Sequence, residues 1–181
     1  MPPTTLPAEL TVREARDAYL AQNGFTTAGY TAARFQIDIF GITWTLPNPR
    51  ARRRVVPLHD LHHVVTGYGT DLVGEAEQSA WELAGGIRSW FLWLFKLGAV
   101  TLGLFLSPRR VWRAFRRARG QRTLYLEAPP YETLLDGRLG ELRAQLGVPA
   151  DGQAEVAAGL HRRAPKPGST GRPERGMSST A

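Results

Sequence analysis

The stretch His59-Asp60-Leu61-His62-His63, with the seventeen residues after it, constrains this chain more than any other. Three of the four histidines fall in five consecutive positions, beside a carboxylate. Gly67-Tyr68-Gly69 then breaks the run, and a second helical pattern begins at Leu72. The spacing predicts a helical hairpin that presents metal ligands from both arms. Each helical residue advances by about 100°, so His59 and His63 nearly superpose and Asp60 lies beside them. His62 points about 100° away from His63, towards packing or a supporting contact. With the turn between Thr66 and Leu72, His63 and Glu75 stand level across it. Glu77 is rotated about 200° from Glu75, and Asp71 suits the N-cap of the second helix. Gly67 and Gly69 are read as supplying turn conformations closed to other residues.

Imidazole nitrogens with carboxylate oxygens form a borderline-hard donor set suited to zinc, iron or manganese. The chain has no cysteine, so thiolate ligands, disulfides and Cys nucleophiles are excluded. It has no H-E-x-x-H, and no histidine precedes His59 as an HD phosphohydrolase pattern requires. With neither a Ser/His/Asp triad nor a phosphate-cradling glycine loop apparent, the metal is the one chemical candidate. Tyr68, in the turn beside it, is a candidate proton donor, with packing under the hairpin as its other role.

His59-Asp60-x-x-His63, eleven intervening residues and then Glu75 resembles the HDxxH-x11-E motif of the coenzyme Q (ubiquinone) biosynthesis protein 4 family. The similarity continues through the V-x-T-G-Y of Val64, Thr66, Gly67 and Tyr68 in the turn, is strong over residues 57–83 and is diffuse elsewhere. The resemblance implies a mostly helical protein with His59, Asp60, His63 and Glu75 as zinc ligands, another divalent metal being an alternative. It further implies a place at a membrane in ubiquinone biosynthesis, with other enzymes of the pathway and a long isoprenoid quinone precursor as partners. Removal of the ring carboxyl at carbon 1, as a metal-dependent lyase or decarboxylase would perform it, is the implied activity. A lipid-binding scaffold with a structural metal and an unrelated metal-dependent hydrolase are the alternatives.

Around the hairpin, Thr11 and Glu14 form a T-x-x-E capping box for a helix over Thr11–Gln22, with Val12, Ala15, Tyr19 and Leu20 on its apolar face. Asn23-Gly24 stops it. Period-two alternation over Arg34–Leu46 predicts a hairpin about Phe40-Gly41, or one bulged strand. Arg50–Arg54 reads as a solvated basic connection, and Pro57 as a first-turn residue of the histidine helix. Thr123–Leu126 reads as a short extended piece, and Tyr131–Leu146 as one amphipathic helix through Leu134, Leu135, Leu139, Leu142 and Leu146. The whole is therefore expected to be mainly α, with a small β-hairpin before the metal-binding helices. A flexible arm over 1–10, one domain over 11–149 and a disordered basic tail over 150–181 are expected.

Residues 89–107 carry a single charge, Lys96. As a helix they would extend about 28 Å, close to the thickness of a bilayer core. The stretch suits a core helix, a helix lining a groove for an isoprenoid chain at a membrane surface, or a single span. Lys96 near its middle counts against the span. Trp90 and Trp93 lie at one end, and Arg109, Arg110, Trp112, Arg113, Arg116 and Arg117 at the other, the pattern that membrane interfaces favour. Seven arginines and no acid occupy 109–122, while the rest of the chain is balanced, with sixteen basic and sixteen acidic residues. Such local basicity suits a lipid headgroup surface over nucleic acid. A peripheral position on the cytoplasmic face of a membrane is expected, and no secretory signal is visible.

Overall fold

The computed structural model describes residues 5–39 and 41–154. The protein is mainly helical, with one two-stranded antiparallel hairpin. The expected tail falls, from residue 155 onwards, outside the described residues. Of the expected N-terminal arm, residues 5–10 are described, and they are tied to the body: Leu6 is buried and Ala8 O accepts from Gly140 N at 2.9 Å.

Helix α1 (Val12–Asn23) opens with the full Thr11–Glu14 capping box and ends on left-handed Gly24. Its predicted apolar face, Val12, Ala15, Tyr19 and Leu20, is buried. After the one-turn α2 (Ala28–Thr31), strands β1 (Arg34–Ile39) and β2 (Ile42–Pro47) pair in the register Phe35↔Leu46 through Ile39↔Ile42. The β segment is thus a hairpin, and Gly41 at φ 78 permits its tight reversal. The Arg52 guanidinium lies 3.6 Å over the Phe35 ring, a cation–π contact between hairpin and helix.

Helix α3 (Arg50–Thr66) begins earlier than the sequence reading placed it. Arg50–Arg54 form its opening turns, and Pro57 sits inside it. Proline at that point removes one backbone donor, yet Asn48 holds the first turn by accepting from Arg52 Nη1 through its side chain and from Arg53 Nε through its carbonyl. Gly67, φ 81, ends α3, and Asp71 caps α4 (Leu72–Gly85) by accepting from Val73 N and Gly74 N. Gly69 does not adopt a positive φ. The close approach instead requires a glycine at 74, where a Cβ would collide with the Gly69 backbone.

Arg143, fully buried in α8 (Leu139–Leu146), closes the other side of the hairpin. Its guanidinium donates to Val64 O and Val65 O in the last turn of α3, and to Leu6 O and Ala150 O. Those α3 carbonyls lack helical partners of their own. The expected single C-terminal helix is two, α7 (Tyr131–Asp136) and α8, because Gly137-Arg138 leaves the helix to bridge Thr11. All five of its predicted leucines are nonetheless buried. Residues 123–126 form a turn, with Leu126 N donating to Thr123 O, where an extended piece was expected.

Helix α5 (Trp90–Leu106) is not a core helix. Its only buried residues are Lys96 and Gly103, while ten of its large apolar side chains, among them Trp90, Phe91, Phe95 and Phe105, are exposed. None of the described helices is long and apolar enough to cross a membrane. Helix α6 (Pro108–Arg117) follows directly and buries Val111 and Ala114. Helix α5 seats on α4 where Gly103 meets Ala76: a Cβ on Gly103 would come 2.1 Å from that of Ala76. Gly103→Ala should therefore destabilise by about 1–3 kcal/mol through overpacking, in spite of the helix propensity it gains. Gly98→Ala, with nothing within 4 Å of the added methyl, should raise the melting temperature. Circular-dichroism melts of the two variants check the seat, and equal shifts would place α5 elsewhere.

Candidate metal centre

The α3–α4 hairpin brings two groups of ligand atoms together: His59, His63 and Glu75, and His59, His62 and Glu82. In each, one atom per residue lies within 4.8 Å of the others, so each is compact enough for a metal ion. Hydrogen bonding separates them. In the first group, His63 Nε2 lies 3.3 Å from His59 Nε2 and 3.3 Å from Glu75 Oε1, and His59 Nε2 lies 3.3 Å from Glu75 Oε2. Ligands held tetrahedrally around a zinc ion at roughly 2.0–2.1 Å stand about 3.3 Å apart.

The far nitrogen of each imidazole is engaged as a metal ligand requires. His63 Nδ1 lies 3.0 Å from the Tyr68 carbonyl and donates to it. His59 Nδ1 lies 2.8 Å from Glu82 Oε1 and 3.0 Å from Lys96 Nζ. With Nδ1–H on both rings, the two Nε2 lone pairs would face each other, and either a proton or a metal cation between them would satisfy them. The second group is less suited. His62 Nε2 accepts from Leu124 N at 2.9 Å, so Nδ1 carries the proton and donates to Glu82 Oε1 at 2.7 Å. Burial also holds the His62 pKa down, against Glu82, and the ring stays neutral. It has no lone pair left for a metal.

Asp60 belongs to neither group. It is buried and accepts from the Tyr30 hydroxyl at 2.8 Å, a contact the sequence did not reveal because Tyr30 comes from α2, thirty residues upstream. Burial outweighs the attraction of His59 and the Tyr30 bond, and raises its pKa. Three of the four expected ligands converge, and the fourth supports from the side. Tyr68 serves the site through its backbone carbonyl. Its phenol lies near Glu77, Arg117 and Gln153, and burial pushes its pKa up. Tyr19 stacks on the His63 ring, centroids 5.7 Å apart.

Two residues of the site had escaped the sequence reading. Glu82 is fully buried, seven residues after Glu75 on the same face of α4; that spacing was its only signal. Its Oε1 receives His59, His62 and the Tyr125 hydroxyl, and its Oε2 lies 2.7 Å from Lys96 Nζ. Burial alone would raise its pKa, but Lys96 and His59 hold it well below the usual carboxylate range. Lys96, the lone charge of the apolar stretch, is thus an inward-facing partner.

The lipid-contact residues divide. Trp90, Trp93 and Trp112 are exposed, and Arg109, Trp112, Arg113, Arg116 and Arg117 line an open cavity of about 510 Å³. Arg110 turns inward and forms a bidentate pair with Glu77, with distances of 2.6 and 3.0 Å. No protein-family model, curated protein or solved structure matches the chain.

Burial and Lys96 lower the His59 pKa, yet Glu82 and Glu75 outweigh them and hold it at about 9. In metal-free protein this ion pairing stabilises the fold fully below the ordinary imidazole pKa of 6.5 and loses its effect as pH rises through about 9. A metal on Nε2 displaces that proton. Zinc binding at pH 7.5 should therefore release about one proton, read by titration calorimetry in buffers of different ionisation enthalpy. The melting temperature of the metal-free protein should fall between pH 7 and 9.5, while that of the zinc form should not. Buffer-independent heats would show that His59 is not protonated at the start.

Proposed function

We propose that the chain is a zinc protein of ubiquinone (coenzyme Q) biosynthesis that works at a membrane surface on an isoprenoid quinone precursor. The observation that carries this reading is the convergence of His59 Nε2, His63 Nε2 and Glu75 at 3.3 Å separations. The HDxxH-x11-E spacing, which resembles that of the coenzyme Q biosynthesis protein 4 family, links the site to this pathway. Two imidazoles and one carboxylate leave a fourth position for water or a substrate group, as catalytic zinc sites do and closed structural sites do not. This supports an enzyme over a scaffold with a structural metal. A zinc ion held by His59, His63 and Glu75 would supply Lewis-acid polarisation of a ring carboxyl or its neighbouring oxygen. Glu75 is the accessible ligand, with its side chain 38% exposed against 0% for His63, so a substrate approaches from its side. Asp60 and Tyr30 form a buried hydrogen-bonded pair beside the ligands.

The surface supports the lipid half of the proposal. Exposed apolar patches beyond a few hundred Å² commonly mark membrane or partner contact. Helix α5 exposes aromatic and aliphatic side chains along its length, and the arginines of α6 follow it at once. A peripheral helix lying in the interface has this make-up.

Purified protein should contain one zinc per chain and a co-extracting prenylated aromatic lipid. Glu75→Gln should lose most of the zinc, keep the lipid and abolish conversion of a prenylated ring carboxylate. Metal-free wild type after zinc reconstitution, or a Glu75→Gln variant that converts substrate as well as wild type, would overturn the catalytic reading. In flotation with vesicles of anionic phospholipid, a Phe91→Asp/Phe105→Asp variant should bind at least tenfold more weakly than wild type. Equal recovery would remove α5 from the membrane contact.

A further inference from the structure

We infer that Glu82, set in place by Lys96, is the positioning residue of the metal centre, and that this pair ties the seating of the apolar helix α5 to the geometry of His59. The inference rests on the metal reading above and concerns residues that the HDxxH-x11-E spacing does not include. The geometry is directional. His62 is held from behind by Leu124 N, so it can only donate to Glu82 Oε1, and Tyr125 donates to the same oxygen. That oxygen is thus fixed before His59 meets it at 2.8 Å. His59 Nδ1 also lies 3.0 Å from Lys96 Nζ; with its proton directed at Glu82 Oε1, Nε2 turns towards His63 and Glu75, and the ring becomes a stronger donor to a metal. Glu82 is wholly buried, and a lone carboxylate there would be costly. Lys96 supplies the matching charge to Oε2 at 2.7 Å, from a different helix.

Besides Lys96, helix α5 buries Gly103, and Val100 packs partly against the core. Lys96 meets Glu82, and Gly103 meets Ala76, the residue after Glu75. The two seats are separated by seven residues on α5 and six on α4, about two helical turns on each. Both adjoin groups that build the metal site. A shift of α5 on α4 withdraws Lys96 from both Glu82 and His59 Nδ1, so whatever contacts the outer face of α5 acts on His59 through this lysine.

The experiment uses full-length protein and measures zinc affinity by chelator competition, together with the visible absorption of the cobalt form. Replacing only one partner strands a buried charge, so both are changed together: Glu82→Met/Lys96→Met, and Glu82→Gln/Lys96→Met. Buried ion pairs tolerate apolar replacement of similar volume. The double-methionine variant should melt cooperatively, bind zinc about 10–100-fold more weakly and show shifted cobalt bands. Glu82→Gln/Lys96→Met keeps a carbonyl acceptor for His59 Nδ1–H and should recover part of that loss. Folded double-methionine protein with wild-type affinity and spectrum overturns the inference. If that variant does not fold, the glutamine variant decides: weaker binding with shifted bands supports the inference, and wild-type values overturn it. Wild type that takes up neither zinc nor cobalt removes the metal centre itself, and the inference with it.

Discussion

The structure depends on one buried carboxylate. Glu82 has no solvent, and it persists as an anion only because His59, His62 and Tyr125 donate to one oxygen while Lys96 faces the other. Each partner comes from a different place: α3 for the histidines, α5 for the lysine, the 123–126 turn for the tyrosine. Desolvating a carboxylate and an ammonium is recovered only where geometry and hydrogen bonds are good. The network therefore selects one relative placement of three segments. The metal ligands on α3 and α4 take their alignment from that placement, along with the Asp71 cap and the Arg143 clamp on the α3 carbonyls.

Helix α5 inverts the usual logic of a surface helix. Such helices turn an apolar stripe inward and charges outward. This one buries its only charge and a glycine, and presents Trp, Phe and Leu to the outside. Neither fully buried residue supplies hydrophobic attachment, so α5 is held by an ion pair and close backbone approach, with Val100 partly packed against the core. Exposed apolar surface of this extent lowers solubility unless something covers it. The arginines of α6 set a positive border beside it, and Arg110 shows that the border is also bolted down, through Glu77 on α4. These features suit an apolar phase with an anionic surface, and they explain why Lys96 looked misplaced when the stretch was read as a linear string.

What could be read from the sequence was local. Helix phase and turn symmetry brought His59, His63 and Glu75 together, and capping chemistry located Thr11, Asp71, the ends of α1 and α4 and the C-terminal end of α3 within a residue or so. The β-hairpin followed from alternation. What could not be read was decided across the fold. Pro57 lies inside a helix that starts about two turns earlier, at Arg50, where Arg52 and Arg53 bond back to Asn48. The C-terminal helix breaks at Gly137-Arg138 because Thr11 offers a backbone pairing from the other end of the chain. Asp60 is drawn off by Tyr30. Glu82 carried a weak periodic signal, and Lys96 a stronger one: a lone charge in an apolar stretch implies a buried partner, and the partner had to be an acid.

The departure at Asp60 bears on chemistry. A closed set of four protein ligands would favour a structural ion, whereas three converging donors and a tethered fourth carboxylate leave one face of the metal open. The two Nε2 lone pairs of His59 and His63 can be satisfied by a proton or by a metal, and Glu82 supports either by holding Nδ1–H on the far side. The proton leaves a monovalent centre, while the metal adds charge that a neighbouring anion can use. An anionic group on a substrate is therefore attracted to the metal-loaded site far more than to the protonated one. The same carboxylate that makes the metal-free site basic would thus ready it to exchange a proton for a metal ion.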